Sequence, residues 1–263
     1  MPFTASHAAA VIPFARLPLS TSALVIGSMV PDLPLFAPAV ARYGHTHSLV
    51  GILTADALLG AGAFVVWHCL LAPPLLAGLS GRLRDTIEMG HPLGLRERIA
   101  GRGAPEVYVS LVVGAATHVV WDEFTHTGRW GTEHIPWLAE MHGPLPGTGY
   151  VQHFSSLIGA IALAAWGRRW LRSQHLTFSD ASVSKGAQLV GVAVLIAGGV
   201  AAARAIWPFS NGGFQLPAHF PFLATTRGIA GSAAMALVMA AGWHLVSRRG
   251  RPRDLRPRAG SAF

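Results

Sequence analysis

The sequence predicts an all-α fold in which several helices cross a membrane as a polytopic bundle. Hydrophobic residues make up 51% of the 263 residues, charged residues make up only 12%, and the mean hydropathy is +0.43. A soluble domain of this composition would leave too much apolar surface in water. Long apolar segments also alternate with arginine-rich connections, which is typical of helices that span a bilayer.

Five segments have lengths close to the roughly 20 residues that cross a hydrocarbon core about 30 Å thick. The predicted spans are residues 47–71, 107–124, 151–166, 187–207 and 222–246. Arginines cluster in the connection 82–102, in the connection after the third span and in the C-terminal tail. The positive-inside rule places these three regions in the cytoplasm. The N-terminal region, residues 125–150 and residues 208–221 are then expected on the outer side.

The first 46 residues are predicted to fold as a short helical hairpin that does not cross the bilayer. Pro18 separates two short helices, Ser20 can cap the second helix, and Pro31 ends it. In such a hairpin, the start of the first arm and the end of the second lie at the same level. His7 and Asp32 are therefore expected to be neighbours.

These segments divide the chain into three predicted parts. Residues 1–175 form a membrane-embedded unit with the hairpin, three spans and a candidate metal site. Residues 176–246 form two further scaffold helices, and residues 247–263 form a basic, disordered cytoplasmic tail. The net charge of +8 comes from the arginine clusters, so it indicates topology and contact with anionic lipid headgroups. No nucleic-acid partner is expected, and the oligomeric state stays open.

Histidine and aspartate recur every four positions at the end of the second predicted span and just beyond it. His118, Asp122 and His126 interrupt an otherwise apolar stretch, and on a helix they project from one face. Ionisable groups inside a membrane are costly and mark functional sites. Because Cys69 is the only cysteine, a metal ion here would be held by imidazole and carboxylate. The alternative is a buried His–Asp hydrogen bond that tightens helix packing.

Further histidine and aspartate residues fall at the same predicted outer end of the bundle. His45 and His47 open the first span, and one of them is expected to be a ligand and the other a supporting residue. His153 opens the third span, and the hairpin contributes His7 and Asp32. Separate stretches thus converge on one level, which is how helical carboxylate and histidine metal centres are assembled.

Five motifs carry a resemblance to a known family. They are Met1-Pro2-Phe3-Thr4-Ala5-Ser6-His7, Gly27-Ser28-Met29-Val30-Pro31-Asp32, Gly44-His45-Thr46-His47-Ser48-Leu49, Thr117-His118-Val119-Val120-Trp121-Asp122-Glu123-Phe124-Thr125-His126 and Gln152-His153-Phe154-Ser155-Ser156. In this order they resemble the bacterial membrane family called domain of unknown function 4184, from Met1 to about Arg172. The resemblance implies an integral protein of the bacterial cytoplasmic membrane. That family has no established activity to transfer.

The same motifs are distantly similar to the LexA-regulated membrane-bound metal-dependent hydrolases and to the helical zinc-dependent phospholipase C fold. This similarity implies one or two divalent ions, with zinc as the expected metal. It implies metal-ligand positions at His7, Asp32, His45, His47, His118, Asp122, His126 and His153. The chain has no His-x-x-x-Glu pair after His126, so a third metal ion is not expected.

The predicted function is a membrane-bound metal-dependent hydrolase that acts on a phosphoester or lipid-linked substrate at the outer face. Asp122 would be a bridging or terminal ligand, and Asp32 would be a base if it is not a ligand. Glu123, about 100° further round the helix, would support the catalytic site. Arg204 and Arg227 would either hold a phosphate oxygen or snorkel to the headgroups. Membrane lipids are the expected partners.

Two other classes of protein stay open at this stage. In a non-catalytic metal- or lipid-binding membrane protein, the same residues would close the coordination sphere and leave no open position. A transporter with a His/Asp ion relay is disfavoured, because its polar groups should lie near the middle of the bilayer. Here the polar groups are predicted at one end.

Overall fold

The structure is a computed structural model of the chain, and it describes residues 4–79, 81–90, 95, 99–100, 103–176, 182–210 and 220–249. Helices form nearly all of the regular structure in these ranges, together with one short β-hairpin and one isolated bridge. The predicted all-α membrane helical fold is confirmed. Most of the predicted basic tail and residues 211–219 of the last predicted outer connection lie outside the described residues.

The N-terminal segment has the two arms that the prolines predict. The first arm is a 3₁₀ helix at Thr4–Arg16, and the second is α1 at Thr21–Gly27. The Ser20 hydroxyl caps α1 by accepting a hydrogen bond from the Ala23 amide at 3.4 Å. A second, short 3₁₀ turn at Val30–Asp32 ends the hairpin and carries the predicted ligand Asp32.

The remaining elements follow in chain order, and two of them are π-helical segments within the first span. They are α2 at Leu33–Phe36, α3 at Tyr43–Thr46, α4 at Leu49–Gly51, the first π-helical segment at Ile52–Asp56, α5 at Ala57–Val66, the second at Trp67–Leu71, α6 at Ala72–Ala77, α7 at Gly81–Gly90, α8 at Gly103–Thr125, α9 at Trp130–His134, α10 at Pro136–Ala139, β1 at Met141–His142, β2 at Leu145–Pro146, α11 at Gly147–Ser173, α12 at Lys185–Ser210 and α13 at Phe220–Arg249.

Four helical stretches are long and apolar enough to cross a membrane, which indicates an integral membrane protein. They are Leu49–Ala77, Gly103–His134, Lys185–Ala205 and Phe220–Ser247. They overlap the first, second, fourth and fifth predicted spans. The third predicted span, residues 151–166, lies within α11, which is 27 residues long but is not among these four. Polar residues such as Gln152 and His153 lower its hydropathy.

The chain separates into two compact units. The first comprises Met1–Cys69 and Leu79–Val183, and the second comprises Leu70–Gly78 and Ser184–Phe263. In the second unit, α12 and α13 pack closely through small residues, because a Cβ atom at Gly231 would crowd Ala201. The side chains of Arg204 and Arg227 are exposed on these two helices. The threefold division of the chain stays a prediction.

Two glycines let α1 and α8 approach each other closely in the first unit. A Cβ atom at Gly27 would overlap the backbone of Leu111, and one at Gly114 would overlap the carbonyl oxygen of Leu24. These overlaps involve backbone on both sides, so a rotamer change could not relieve them. The close approach lies one helical turn before His118 and thereby sets the distance between the hairpin and that side chain.

Asp56 is buried without a hydrogen-bond partner in the first span. It is 1% exposed, and within the described residues neither of its carboxyl oxygens makes a hydrogen bond. It ends the first π-helical segment, at Ile52–Asp56. A buried polar group left unsatisfied in this way costs about 1–3 kcal/mol.

Replacing Asp56 by leucine is expected to raise the free energy of unfolding by about 1–3 kcal/mol, because the change removes this unsatisfied group. Thermal unfolding of the detergent-solubilised protein, followed by circular dichroism, measures the effect. Asp85→Leu is the matched control, since Asp85 is exposed on α7 and its replacement should change stability by less than about 0.5 kcal/mol. A lower Tm for Asp56→Leu than for the wild type would contradict the prediction.

Candidate metal centre

Four buried side chains converge in the first unit. They are Asp32, His47, His118 and Asp122, and one potential ligand atom of each lies within 4.8 Å of the others. None of the four is more than 6% exposed. The hairpin supplies the first residue, the end of α3 supplies the second, and one face of α8 supplies the last two. Segments that are distant in sequence thus form one cluster, which we call the His/Asp cluster.

Backbone carbonyl groups orient two imidazole rings of the cluster. His118 Nδ1 donates to the Ser28 carbonyl oxygen at 2.8 Å, and His47 Nδ1 donates to the Tyr43 carbonyl oxygen at 3.0 Å. A ring nitrogen that faces a carbonyl oxygen carries the proton, which leaves Nε2 with a lone pair in the neutral ring. Metal-ligating histidines are commonly held in this way.

Asp32 is held through one carboxylate oxygen and faces the cluster with the other. Thr4 Oγ1 donates to Asp32 Oδ2 at 2.8 Å. Asp32 Oδ1 lies 3.6 Å from His118 Nε2 and 3.9 Å from His47 Nε2. The carboxylate is therefore fixed in rotation, with one oxygen directed at both imidazole rings.

The separations within the cluster fit ligands of one ion better than they fit hydrogen bonds. Asp122 Oδ2 lies 3.3 Å from His47 Nε2 and 3.5 Å from His118 Nε2. Charge-assisted N–H···O hydrogen bonds are about 2.7–2.9 Å long. Two ligands placed about 2.0–2.1 Å from a tetrahedral zinc ion are about 3.3 Å apart. The four side chains therefore fit around a divalent cation.

The second oxygen of Asp122 faces two further histidines. Asp122 Oδ1 lies 3.7 Å from His7 Nε2 and 3.4 Å from His126 Nδ1. The His7 ring stacks on the ring of His118, with 3.9 Å between the ring centroids. Although α8 ends at Thr125, the His126 amide still donates to the Asp122 carbonyl oxygen at 3.2 Å. This bond keeps His126 on the cluster side of the helix end.

Three imidazole Nε2 atoms in this region have no hydrogen-bond partner among the described residues. Within the described residues, Nε2 of His7, His47 and His118 is buried and makes no hydrogen bond. Burial lowers the pKa of His7 to about 4, and the neighbouring His118 lowers it as well. Burial raises the pKa of Asp32, but nearby His118 and the hydrogen bond from Thr4 bring it below the usual value. Neutral imidazole and ionised carboxylate are the forms that bind metal.

The structure brings six of the eight predicted ligands together and leaves two outside. The six are His7, Asp32, His47, His118, Asp122 and His126. His45 is exposed, and His153 is exposed with its Nδ1 donating to the Gly149 carbonyl oxygen at 2.6 Å. Glu123 accepts a hydrogen bond from the Trp130 amide at 2.9 Å and so holds the loop after α8. The structure does not bring these last three side chains to the cluster.

Threonine side chains that the sequence analysis did not single out help to orient the cluster. Thr46 Oγ1 donates to the Pro31 carbonyl oxygen at 2.8 Å and lies 3.2 Å from His47 Nδ1. Thr125 Oγ1 lies 3.1 Å from His126 Nδ1. The sequence does contain a signal for this role, because threonine directly precedes histidine at positions 46–47, 117–118 and 125–126.

Replacing Thr4 by valine is expected to weaken metal binding by about 10–100-fold, as is typical when a hydrogen bond to a ligand is lost. Valine keeps the shape of the side chain but lacks the hydroxyl that donates to Asp32 Oδ2. Competition titration of the metal-free protein with Zn²⁺ and a chelator measures the change. Thr54→Val is the control, since the Thr54 hydroxyl donates to the Val50 carbonyl oxygen. Equal affinity of the two variants would argue against this role for Thr4.

The fold and the His/Asp cluster together define the class of protein. It is an integral membrane protein of helical architecture with a buried group of histidines and aspartates that could hold a metal ion. The chain belongs to the family described as Domain of unknown function (DUF4184), whose model matches residues 1–247. No curated protein and no solved structure shows a significant match to the chain.

Proposed function

We propose that this protein is a membrane-bound metal-dependent hydrolase that cleaves a phosphoester or lipid-linked substrate. One observation carries the proposal: three buried Nε2 atoms without a hydrogen-bond partner among the described residues face two buried carboxylates. Burying such groups without compensation is costly, and one or two divalent cations would satisfy them. Zinc is the proposed metal, because imidazole and carboxylate are among its common ligands in proteins.

The cluster offers positions for one or two ions. Asp32, His47, His118 and Asp122 would hold the first ion. Asp122 Oδ1, together with His7 and His126, would hold a second ion. Two-metal sites of this kind support hydrolysis in other proteins.

Hydrolysis is the reaction that these side chains would support with a metal ion bound. A bound divalent ion supplies Lewis-acid polarisation of a phosphoryl or carbonyl oxygen and makes water a better nucleophile. The water oxygen would join the phosphorus or carbonyl carbon, the ester bond would break, and one water proton would pass to the departing alkoxide. Asp32, fixed by Thr4, would either bind the ion or accept a proton through Oδ1. His126, with 22% of its side chain exposed, marks the accessible side of the cluster.

The position of the cluster along the helices supports a site at one membrane face. His47 lies just before the candidate span Leu49–Ala77, and Asp122 lies three residues before the end of α8 at Thr125. With the arginine-rich connections in the cytoplasm, this end of both spans is proposed to lie on the outer side.

A reporter enzyme that is active only outside the cytoplasm, fused after His126, should be active. An inactive reporter there would overturn the orientation.

A non-catalytic metal-binding membrane protein is the second candidate. The observation that favours it is the number of ligands, because four side chains can close a tetrahedral sphere and leave no position for a substrate. The third class, a transporter with a His/Asp relay, would place its polar groups near the bilayer midplane. His47 precedes the first candidate span, and His118 and Asp122 lie in the last third of α8, which disfavours transport.

Metal content and turnover of the purified protein test the proposal together. The wild-type protein in detergent should retain about one or two divalent ions per chain and release the headgroup or phosphate from one member of a phosphoester lipid panel. Chelation should abolish the release, and Asp32→Asn should reduce it more than Asp85→Asn, which changes an exposed acid. Bound metal without turnover would favour a non-catalytic metal-binding protein. Less than about one bound ion per chain would contradict both the hydrolase and the metal-binding protein.

A further inference from the structure

A large apolar cavity lies beside the His/Asp cluster in the first unit. Its volume is about 850 Å³, which is within the range of about 300–1,000 Å³ that is common for ligand sites. The N-terminal 3₁₀ helix, α8, the α10 to β1 region and α11 form its walls. Most of the lining is apolar, and Trp121, Trp137, Phe154 and Ile158 contribute its large side chains.

His7 connects this cavity with the His/Asp cluster. Its side chain lines the cavity, yet it is only 4% exposed and its Nε2 lies 3.7 Å from Asp122 Oδ1. Neither ring nitrogen of His7 has a hydrogen-bond partner within the described residues. A molecule in the cavity would therefore meet the cluster at His7. Such a molecule would need an apolar part that fills the cavity and a polar part that contacts His7.

The dimensions of the cavity match a hydrocarbon chain in one leaflet. The α11 wall runs from Tyr150 to Ala162, which is about 18 Å at 1.5 Å per residue. One leaflet of a bilayer has a hydrocarbon depth of about 15 Å. The lining also includes Trp121, which belongs to the candidate span Gly103–His134 and donates a hydrogen bond to Ser155 Oγ at 3.3 Å. The cavity thus lies beside a helix that is apolar enough for the bilayer.

The cavity is also accessible from the surface that lipid would cover. Phe154 and Ile158 line it while remaining 61% and 64% exposed, so the same side chains reach the outside of the helix. Water would hydrate these apolar walls poorly, whereas a lipid chain could move into the cavity from the adjacent leaflet without crossing water.

We infer that this cavity holds an acyl chain of a membrane phospholipid whose phosphoester headgroup lies at His7 and the His/Asp cluster. The inference rests on the proposed function, because it names the substrate class of that site and assigns its apolar part to these walls. Ala10 of the 3₁₀ helix and Ala162 of α11 are small residues in the lining, where a larger side chain would occupy space for the chain. Gly159 lets the 3₁₀ helix lie against α11, because a Cβ atom there would come within 3.0 Å of Ser6 Cβ.

Photolabelling tests this inference without requiring turnover. The probe is phosphatidylglycerol with a diazirine on its acyl chain, incorporated into vesicles with the purified protein, and mass spectrometry locates the adducts. Adducts are expected on Ala9 or Ala10 of the 3₁₀ helix as well as on α11. Ala162→Leu should reduce the adducts on the 3₁₀ helix about tenfold, and Ala10→Leu should reduce those on α11 to the same extent, because the added methyl groups occupy the space of the chain.

Ala164→Leu is the matched control, because Ala164 is exposed on α11 and should leave the labelling unchanged. Metal content and Tm equal to the wild type show that a filled variant is folded. Equal labelling of folded Ala162→Leu and Ala164→Leu proteins would overturn the inference. Metal-dependent turnover of a short, water-soluble phosphoester without any labelling of the 3₁₀ helix would also overturn it and leave the proposed function standing. Labelling of the cavity without turnover of any lipid would contradict the proposed hydrolase activity and would leave the binding of an acyl chain in the cavity standing.

Discussion

Replacing His118 by alanine is expected to abolish stoichiometric metal binding, with a loss of affinity of more than about 100-fold. The imidazole is 0% exposed, and its Nε2 lies within 3.6 Å of carboxylate oxygens from both Asp32 and Asp122. Alanine removes one of the two Nε2 atoms that face both acids, and the other, that of His47, would remain alone. Losing a supporting residue alone typically costs about 10–100-fold, so losing a ligand should cost more.

Metal analysis of the purified variant measures the loss directly, and thermal unfolding gives an independent reading. Wild-type protein should gain about 2.7 kcal/mol of stability when free Zn²⁺ is about 100 times the dissociation constant. His118→Ala should gain little under the same conditions. The matched control is His153→Ala, since sequence motifs predicted His153 as a ligand but its side chain is exposed and bonded to the Gly149 carbonyl oxygen. Equal metal content in the two variants would remove His118 from the proposed centre.

Replacing Gly114 by alanine is expected to destabilise the protein by about 3 kcal/mol and to weaken metal binding as well. The new Cβ atom would overlap the Leu24 carbonyl oxygen and lie 2.7 Å from the Ser28 amide nitrogen, so α1 and α8 would have to separate. That separation would stretch the 2.8 Å hydrogen bond from His118 Nδ1 to the Ser28 carbonyl oxygen. A change one turn away from the cluster should therefore disturb its geometry.

Gly62→Ala, also a glycine replacement within a helix, is expected to stabilise the protein, whereas Gly114→Ala is expected to destabilise it. Gly62 lies within α5 of the first candidate span, and a Cβ atom there would meet nothing within 4 Å. Alanine at this site should stabilise the helix by about 0.5–1 kcal/mol through its higher helix propensity. Circular dichroism melts and Zn²⁺ titration of both variants measure the contrast. A Gly114→Ala protein as stable as Gly62→Ala would show that the close approach of α1 and α8 does not matter.

The membrane helices illustrate how far hydropathy alone reaches. The apolar runs around Phe64 and Val194 lie in stretches long enough to span a bilayer, because length and apolar composition are local properties of the sequence. The interruptions within the first stretch are different. The two π-helical segments, one of which ends at the buried Asp56, were not predicted from the sequence. They depend on how the helix packs against its neighbours.

The candidate site shows the same division between local and long-range information. The four-residue spacing of His118, Asp122 and His126 placed these side chains on one helix face, because helical periodicity needs no tertiary contact. The spacing of His45 and His47 left two possibilities, and the structure buries the second residue and exposes the first. Only the turn around Thr46, which hydrogen bonds to the Pro31 carbonyl oxygen, separates their orientations.

The sequence by itself determined that this is a helical membrane protein with histidines and aspartates grouped near particular helix ends. Composition, hydrophobic run length and helical spacing are sufficient for that, since each acts over a few neighbouring residues. The tertiary structure decided which of those side chains meet. Asp32 and His118 come together because two glycines allow α1 to touch α8, and His153 stays outside because α11 turns that side chain to its exposed face. Such contacts depend on packing between distant segments, which residue spacing does not encode.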